Sequence, residues 1–271
     1  MSGEPSLAAA SRRLRDPALR GLAPGTAAWF EAQRRMIAGK PLVRRCYDLW
    51  YRRLLEDADS VPGAGGLIVE LGSGLSYIKR LRPEVVTTDV VAGAADLVAD
   101  GRALPFGDGT VRALLLTHVF HHIPDVGRFL TEARRVLAPG GVIGMVEETH
   151  TPFARFFFGR IHPEPYDDRA ARWEFPAGDP LGAANQALSW IVFFRDAARF
   201  REGWPDLALE RREYLPWLGY LLSGGVNLRS LVPRPLAPAF GALDALLRPC
   251  DRLCAIHWHL RLRKVAAVPR R

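Results

Sequence analysis

Acidic side chains and glycines follow short apolar runs in the first half of the sequence. Glu70 closes one run and is followed by Gly72 and Gly74, and Asp89 closes the next run. Glycines at such a turn allow the backbone to approach a ligand closely. A carboxylate at the end of the neighbouring strand can accept hydrogen bonds from both hydroxyls of a ribose. This spacing predicts a nucleoside-binding site.

A third acidic residue, Asp100, lies in a loop a little further on, where its carboxylate could accept the exocyclic amine of an adenine. Acids at ribose and base, without a phosphate site, suit an adenosine. A dinucleotide-binding oxidoreductase is the alternative, but its fingerprint requires a glycine where this chain has Tyr77. The bulky tyrosine disfavours that alternative.

Two adjacent histidines, His121 and His122, follow the fourth apolar run. An imidazole with a pKa of about 6.5 can take a proton from a hydroxyl group, so both are candidate general bases. The alternative is that they only pack the corner between strand and helix. Four further residues could act as metal ligands: Glu147, Glu148, His150 and His162. No two of them have the helix spacing of a typical ligand pair, so the sequence predicts no metal site.

Elements that must position these residues alternate between strand and helix patterns, which predicts parallel strands joined by crossover helices. Strands are predicted at 67–71, 85–88, 113–117 and 142–147, with a helix at 126–137. A further helix is predicted at 189–201, and strands at 207–214 and 255–265 are expected to form an antiparallel edge. The fold class is therefore α/β, with a doubly wound sheet.

The motifs in this order resemble the class I S-adenosylmethionine-dependent methyltransferases, in particular the methyltransferase type 11-like subgroup. That subgroup reads Glu-Leu-Gly-x-Gly, then Asp-Ala-x-x-Leu-Pro-Phe, then His-His-Ile/Leu-Pro-Asp. This chain has Glu-Leu-Gly-Ser-Gly at 70–74, Asp-Gly-Arg-Ala-Leu-Pro-Phe at 100–106 and His-His-Ile-Pro-Asp at 121–125. The resemblance covers about residues 66–148 and implies a seven-stranded Rossmann-like sheet.

The same resemblance implies S-adenosyl-L-methionine as the cofactor. Its methionine part would lie at the glycine turn, its ribose at Asp89 and its adenine near Asp100. The full set of implied cofactor-binding residues is Glu70, Gly72, Ser73, Gly74, Asp89, Val90, Asp100, Gly101, Arg102, Thr117 and His118. One departure is that Ser76 replaces the usual third glycine, and only a short helix fits before Asp89. A non-catalytic cofactor-binding protein with a regulatory or assembly role is therefore a second hypothesis.

The regions outside the motifs predict a cover for the site. Residues 1–25 are expected to be a poorly ordered lead, 26–60 a helical arm and 66–271 the methyltransferase domain. Within that domain, a lid insertion is expected at about 151–188 and an apolar extension at about 214–250. Such a cover suits a small, hydrophobic or glycolipid-type acceptor, with O-methylation favoured.

Composition narrows the setting of the protein. Of 271 residues, 48% are apolar, the net charge is +8, and there are only three cysteines. No signal-peptide core or long apolar run is evident, so a cytoplasmic protein is expected, with peripheral contact at the inner membrane face left open.

The basic residues lie mainly in the flanks and favour an anionic small molecule or lipid surface. Nucleic acid is disfavoured because the Asn/Asp-Pro-Pro-Tyr/Phe motif of base amino-methylating enzymes is missing after the fourth strand. The oligomeric state is not predicted.

Overall fold

Seven strands form one sheet in the order β3-β2-β1-β4-β5-β7-β6. The computed structural model describes residues 14–61, 63, 65–93, 95–176 and 183–265. Neighbouring strands are parallel except that β7 runs antiparallel to both β5 and β6. This order confirms the predicted Rossmann-like sheet. The strands are β1 (Leu67–Leu71), β2 (Val86–Asp89), β3 (Leu97–Val98), β4 (Val111–Thr117), β5 (Leu137–Glu148), β6 (Leu207–Tyr214) and β7 (His257–Lys264).

Helices cover both faces of the sheet. The helical arm consists of α1 (Ala27–Gly39) and α2 (Pro41–Asp59), and Pro41 occupies the first turn of α2, where its missing amide proton costs nothing. The crossover helix α3 (Val126–Val136) is N-capped by Asp125, which accepts a hydrogen bond from the Arg128 amide at 2.9 Å. Among the described residues, further α-helices are α4 (Pro152–Arg160), α5 (Leu188–Trp190), α6 (Ala197–Gly203), α7 (Leu218–Ser223), α8 (Ala237–Leu246) and α9 (Asp251–Cys254).

Short turns of other helix types complete the connections. The connection from β1 to β2 contains a single 3-10 turn, Tyr77–Arg80, which agrees with the short helix expected there. Four more 3-10 turns are Pro17–Leu19, Phe120–His122, Arg234–Leu236 and Arg248–Cys250. None of the helices in the described part of the chain is both long and apolar enough to cross a lipid bilayer.

The regular core lies on both sides of β1, β4 and β5. On one side, Phe129, Leu130 and Ala133 of α3 are fully buried against the sheet. On the other, Trp50 and Leu54 of α2 are fully buried against it. Burial on both faces explains why these strands read as continuous apolar runs rather than as alternating patterns.

The structure differs from the predicted elements in three places. The helix predicted at 189–201 is α5, then a π-helical turn at Ile191–Arg195, then α6. The predicted lid begins with α4, capped by the Thr151 hydroxyl, although its sequence shows no clear period. Strand β3 was not predicted, because two exposed residues carry no alternation. Residues 1–13 of the predicted lead and 177–182 of the predicted lid lie outside the described residues.

One buried carboxylate joins the helical arm to the sheet. Asp57 of α2 is fully buried and accepts hydrogen bonds from His259 Nε2 at 2.6 Å and Arg261 Nη1 at 3.4 Å, both on β7. It lies over β5 at Gly144, where a Cβ atom would be 2.9 Å from Asp57 Oδ2. The arm therefore rests on the sheet at a point where only glycine leaves space.

Replacing this carboxylate is expected to loosen the arm. In Asp57→Ala, the imidazole and the guanidinium lose a buried acceptor, so we expect the free energy of unfolding to fall by about 3–5 kcal/mol. Asp59→Ala is the matched control, because its pair with Arg82 is half exposed and is worth at most about 1 kcal/mol. Urea denaturation of both variants measures the difference. Equal losses would show that Asp57 does not anchor the arm.

Candidate functional site

The glycine turn after β1 has the conformation that a close ligand requires. Gly72 and Gly74 have φ angles of +60° and +43°, in the left-handed region that favours glycine. A Cβ atom at Gly72 would lie 2.5 Å from Val119 Cγ2, and one at Gly74 would lie 3.1 Å from Phe30 Cε1. Phe30 belongs to α1, so the helical arm covers this turn.

Asp89 holds the turn against the end of β2. Its side chain is buried, and its two oxygens accept hydrogen bonds from the Gly74 amide at 2.8 Å and the Val91 amide at 2.9 Å. Next to it, Val90 exposes 48% of its surface. A carboxylate and an exposed apolar side chain thus lie side by side at the edge of the turn.

Glu70 is buried beneath the turn. Its Oε2 atom has no hydrogen-bond partner among the described residues. Burial raises the pKa of Glu70 to about 7, although hydrogen bonds from Tyr51 and Ser73 act in the opposite direction. A buried carboxyl oxygen without a partner fits a cationic ligand group such as an ammonium.

The Asp100 loop is preorganised by an ion pair that the sequence did not reveal. Arg102 Nη2 lies 2.6 Å from Asp100 Oδ2, and Arg102 Nε lies 3.0 Å from Oδ1. This guanidinium holds the pKa of Asp100 below its usual value. At Gly101, a Cβ atom would lie 3.3 Å from Phe129 Cδ2, so the loop packs closely on α3.

Thr117 and His118 follow from the end of β4, beside the glycine turn. His118 has a φ of +56°, which is uncommon for a residue with a side chain. Its amide donates to the carbonyl of Val146, and its Nδ1 lies 2.9 Å from Glu148 Oε1. The carboxyl ends of β4 and β5 are thereby joined through side chains as well as backbone.

The adjacent histidines differ sharply in environment. His121 is buried, and its Nδ1 lies 2.7 Å from Glu147 Oε2 and 2.8 Å from Glu148 Oε2. Burial opposes its charge, but the two carboxylates outweigh burial and hold the pKa of His121 well above its usual value. Burial and the charge of His121 lower the pKa of His122 to about 4. The carboxylates therefore favour the charged form of His121, whereas burial and the neighbouring charge favour the neutral form of His122.

Three aromatic residues and a further histidine cluster at the carboxyl end of β4 and β5. None of them is among the site residues predicted from the sequence. The ring of Trp50 lies 5.0 Å from the rings of both His118 and Tyr220. Tyr220 in turn lies 4.9 Å from His257 on β7. Phe158 of the predicted lid lies 6.4 Å from His257. These residues come from distant segments, and only the alternation in β7 offered a sequence signal for His257.

Tyr77, which the sequence analysis used against a dinucleotide site, is buried in the core. Its ring stacks on Tyr51 at 5.5 Å, and its hydroxyl donates to Asp48 Oδ1 at 2.7 Å. Since this side chain fills the space beneath the first crossover, the close helix approach that a pyrophosphate site requires is blocked here.

The contrast between the two histidines gives a stability prediction. His121→Ala leaves Glu147 and Glu148 buried without a compensating charge, so we expect the free energy of unfolding at pH 7 to fall by about 3–5 kcal/mol. His122→Ala is the control, because a neutral ring with one hydrogen bond to the Ala183 carbonyl should cost about 1 kcal/mol. Urea denaturation compares them, and a larger loss in His122→Ala would contradict the charge assignment.

Sequence comparison and structure comparison both find methyltransferases similar to this chain. The family described as "Methyltransferase domain" matches residues 72–145. A demethylmenaquinone methyltransferase from Renibacterium salmoninarum is 27% identical over 129 residues, which cover 40% of this chain and 51% of that protein. The ubiquinone/menaquinone biosynthesis C-methyltransferase UbiE of Acidiphilium cryptum is 28% identical over 172 residues, covering 60% and 63%. The matches thus span about half to under two thirds of these relatives.

Among solved structures, an S-adenosylmethionine-dependent methyltransferase from Thermotoga maritima superposes with a TM-score of 0.51 at 13% identity. It covers 87% of this chain and 96% of its own. The Haloferax volcanii methyltransferase solved with the activator Trm112 gives a TM-score of 0.50 at 15% identity, covering 88% and 97%. At these identities the likeness concerns the fold. Residues 72–145 are thus similar to the methyltransferase domain family, and the sheet has the Rossmann-like α/β fold of these solved methyltransferases.

Proposed function

We propose that this protein transfers a methyl group from S-adenosyl-L-methionine to a small hydrophobic acceptor. The observation that carries the proposal is the convergence of three features at the carboxyl ends of β1 and β2. These are the left-handed glycine turn, the unpartnered Oε2 of Glu70 beneath it, and Asp89 at its edge. Their chemistry matches a ligand with an ammonium at one end and a ribose further along.

The residues of the site fit this cofactor part by part. Glu70 would hold the ammonium of the methionine portion, with Ser73 and the glycine amides around its carboxylate. Asp89 retains free lone pairs for the ribose hydroxyls after accepting one amide on each oxygen. At the adenine end, exposed Val90 offers an apolar surface. The loop formed by Asp100, Gly101 and Arg102 would flank the base, and Thr117 with His118 would close the pocket.

When bound, the cofactor supplies an electrophilic methyl group, so the protein has mainly to align the acceptor and exclude water. The arm contributes Phe30 over the turn and Trp50 beside His118. Of the two candidate bases, His122 is the neutral imidazole and is the proton acceptor that we propose for a hydroxyl substrate. We assign charged His121 a positioning role instead, because it holds Glu147 and Glu148 in place.

The acceptor that we propose is an apolar, ring-bearing small molecule methylated on oxygen. We place its ring beside the aromatic cluster of Trp50, Tyr220 and Phe158, because flat rings stack favourably on aromatic side chains. The curated relatives carry the names of quinone methyltransferases, which supports an acceptor of this size and polarity. One of them is named a C-methyltransferase, so carbon is the competing acceptor atom.

Contact with a membrane surface is part of this proposal, because an apolar acceptor is commonly delivered from lipid. Leu231, Leu236 and Leu246 of the extension expose 62%, 51% and 74% of their surface. Arg234 and Arg248 are close to them in sequence and could meet anionic lipid headgroups. In this proposal the chain would attach to the membrane surface rather than insert into it.

Incubation with methyl-labelled S-adenosyl-L-methionine and a panel of hydroxylated aromatic acceptors tests turnover. Labelled product with an ether-linked methyl group supports O-methylation, and a ring-linked methyl group shifts the assignment to carbon. Cofactor binding without transfer to any acceptor would favour the non-catalytic alternative, which the occupied carboxylate of Asp100 also fits.

Asp89 provides the sharpest test of the cofactor. Loss of two hydrogen bonds to a charged group, each worth about 1.5 kcal/mol or more, should weaken the binding of S-adenosylhomocysteine to Asp89→Ala by about 100-fold. Asp96→Ala is the control, because its carboxylate is half exposed and pairs with Lys79. Calorimetry with S-adenosylhomocysteine and NAD gives both affinities. Unchanged affinity in Asp89→Ala, or preference for NAD, would overturn the assignment.

Glu70 makes cofactor affinity depend on pH. Its pKa of about 7 means that the carboxyl is mostly neutral at pH 6 and mostly ionised at pH 8. If only the ionised form holds the ammonium, the binding constant for S-adenosylhomocysteine should rise about tenfold between these pH values. In Glu70→Gln this rise should disappear. Calorimetry at both pH values checks the expectation, and an equal rise in the variant would exclude Glu70 as the titrating group.

A further inference from the structure

Three potential metal ligands meet at the carboxyl end of the sheet, from three strands that lie side by side. Glu148 ends β5, and His257 lies directly opposite it at the start of β7 in the antiparallel register. His118 directly follows β4 on the other side of β5. One donor atom from each of the three side chains lies within 4.8 Å of the other two. Their positions are fixed by strand pairing rather than by flexible loops.

The two histidines have unused donor capacity in a buried setting. His257 exposes 3% of its surface, and its Nδ1 has no hydrogen-bond partner among the described residues. The same holds for the buried Nε2 of His118. A buried polar nitrogen without a partner is costly, so it calls for a ligand. The two rings lie 4.6 Å apart at 67°, an edge-to-face arrangement that lets their nitrogens converge.

The neighbouring acidic residue does not compete for this role. Glu147 Oε1 accepts hydrogen bonds from the amides of Val119 at 2.9 Å and Phe120 at 2.8 Å, and its Oε2 contacts His121. These contacts satisfy the Glu147 carboxylate within the protein. The orphaned nitrogens of His118 and His257 have no such partners among the described residues.

His118 is also held in an unfavourable backbone conformation. Its φ of +56° lies in the left-handed region, which is unfavourable for a residue with a Cβ atom. Such strain persists where the surrounding structure requires a side chain in one place, and it concentrates at functional sites. Here the conformation directs the imidazole towards Glu148.

We propose that His118, Glu148 and His257 bind one divalent transition-metal ion. Two imidazoles and one carboxylate suit zinc, iron, cobalt or manganese, whereas magnesium and calcium prefer oxygen ligands alone. Three protein ligands leave at least one coordination position open, as in catalytic rather than structural sites. The sequence predicted no metal site because it contains no helix-spaced ligand pair, whereas these ligands come from three separate segments at the ends of β4, β5 and β7.

The open position has a use that rests on the proposed function. Trp50 and Tyr220 surround the cluster, so an acceptor stacked on them would place a polar atom near the ion. A coordinated hydroxyl oxygen has a lowered pKa and is a better nucleophile. The ion would thereby orient and activate the acceptor, while the glycine turn and Asp89 hold the cofactor.

Metal binding by the full-length protein tests the proposal. Protein treated with EDTA and dialysed is titrated with Zn²⁺ by calorimetry and with Co²⁺ by visible absorption. We expect one ion per chain, Co²⁺ bands typical of four or five ligands, and a higher melting temperature. His257→Gln and His118→Asn should each weaken binding more than about 100-fold, since even outer-shell partners are worth about 10- to 100-fold. Asparagine tolerates the positive φ at position 118.

The matched control is His150→Gln. His150 also follows β5, but its ring stacks on Trp190 and its Nε2 bonds to Asp168, so it lies in a different cluster. It should bind Zn²⁺ as the unchanged protein does. The proposal is overturned if folded wild-type protein binds no stoichiometric Zn²⁺ or Co²⁺, or if the two ligand variants bind as well as the control. Calorimetry with S-adenosylhomocysteine in EDTA separates this result from a failure of the cofactor site.

Discussion

A buried imidazolium between two buried carboxylates organises the carboxyl end of the sheet. Glu147 and Glu148 are adjacent in sequence and nearly inaccessible to solvent, a placement that would be prohibitive without compensating charge. His121 supplies that charge, and together with His118 it outweighs the effect of burial and holds the pKa of Glu148 well below its usual value. Since Glu147 also accepts the amides of Val119 and Phe120, this charge cluster fixes the path of the chain directly after β4.

That fixed path links the two halves of the site. Val119 lies against Gly72, so the segment after β4 sets the position of the cofactor turn. One residue earlier, the ring of His118 lies 5.0 Å from that of Trp50, in the aromatic cluster where we propose that the acceptor binds. In the proposed function, the short stretch after β4 would set the distance between the cofactor and the acceptor, on which an in-line methyl transfer depends.

The sequence predicted the sheet and the cofactor motifs because both are local signals. Apolar runs such as 67–71 and the glycines after them are readable within a few residues. The aromatic cluster around His257 could not be predicted in this way. Trp50 and His257 are separated by most of the chain, and their contact depends on the pairing of β7 with β5. The ion pair between Asp100 and Arg102 was also missed, because an Asp two residues before an Arg is common in any loop. The π-helical turn at Ile191–Arg195 was also missed, because it leaves no mark in the helical period.

The contact between Asp57 and Gly144 has a consequence for how this sequence can change over time. Any side chain at position 144 would occupy the place of the Asp57 carboxylate. Loss of that carboxylate would in turn leave His259 without its acceptor. Substitutions at these three positions therefore depend on one another. We expect related chains either to retain all three residues or to replace them together with apolar residues.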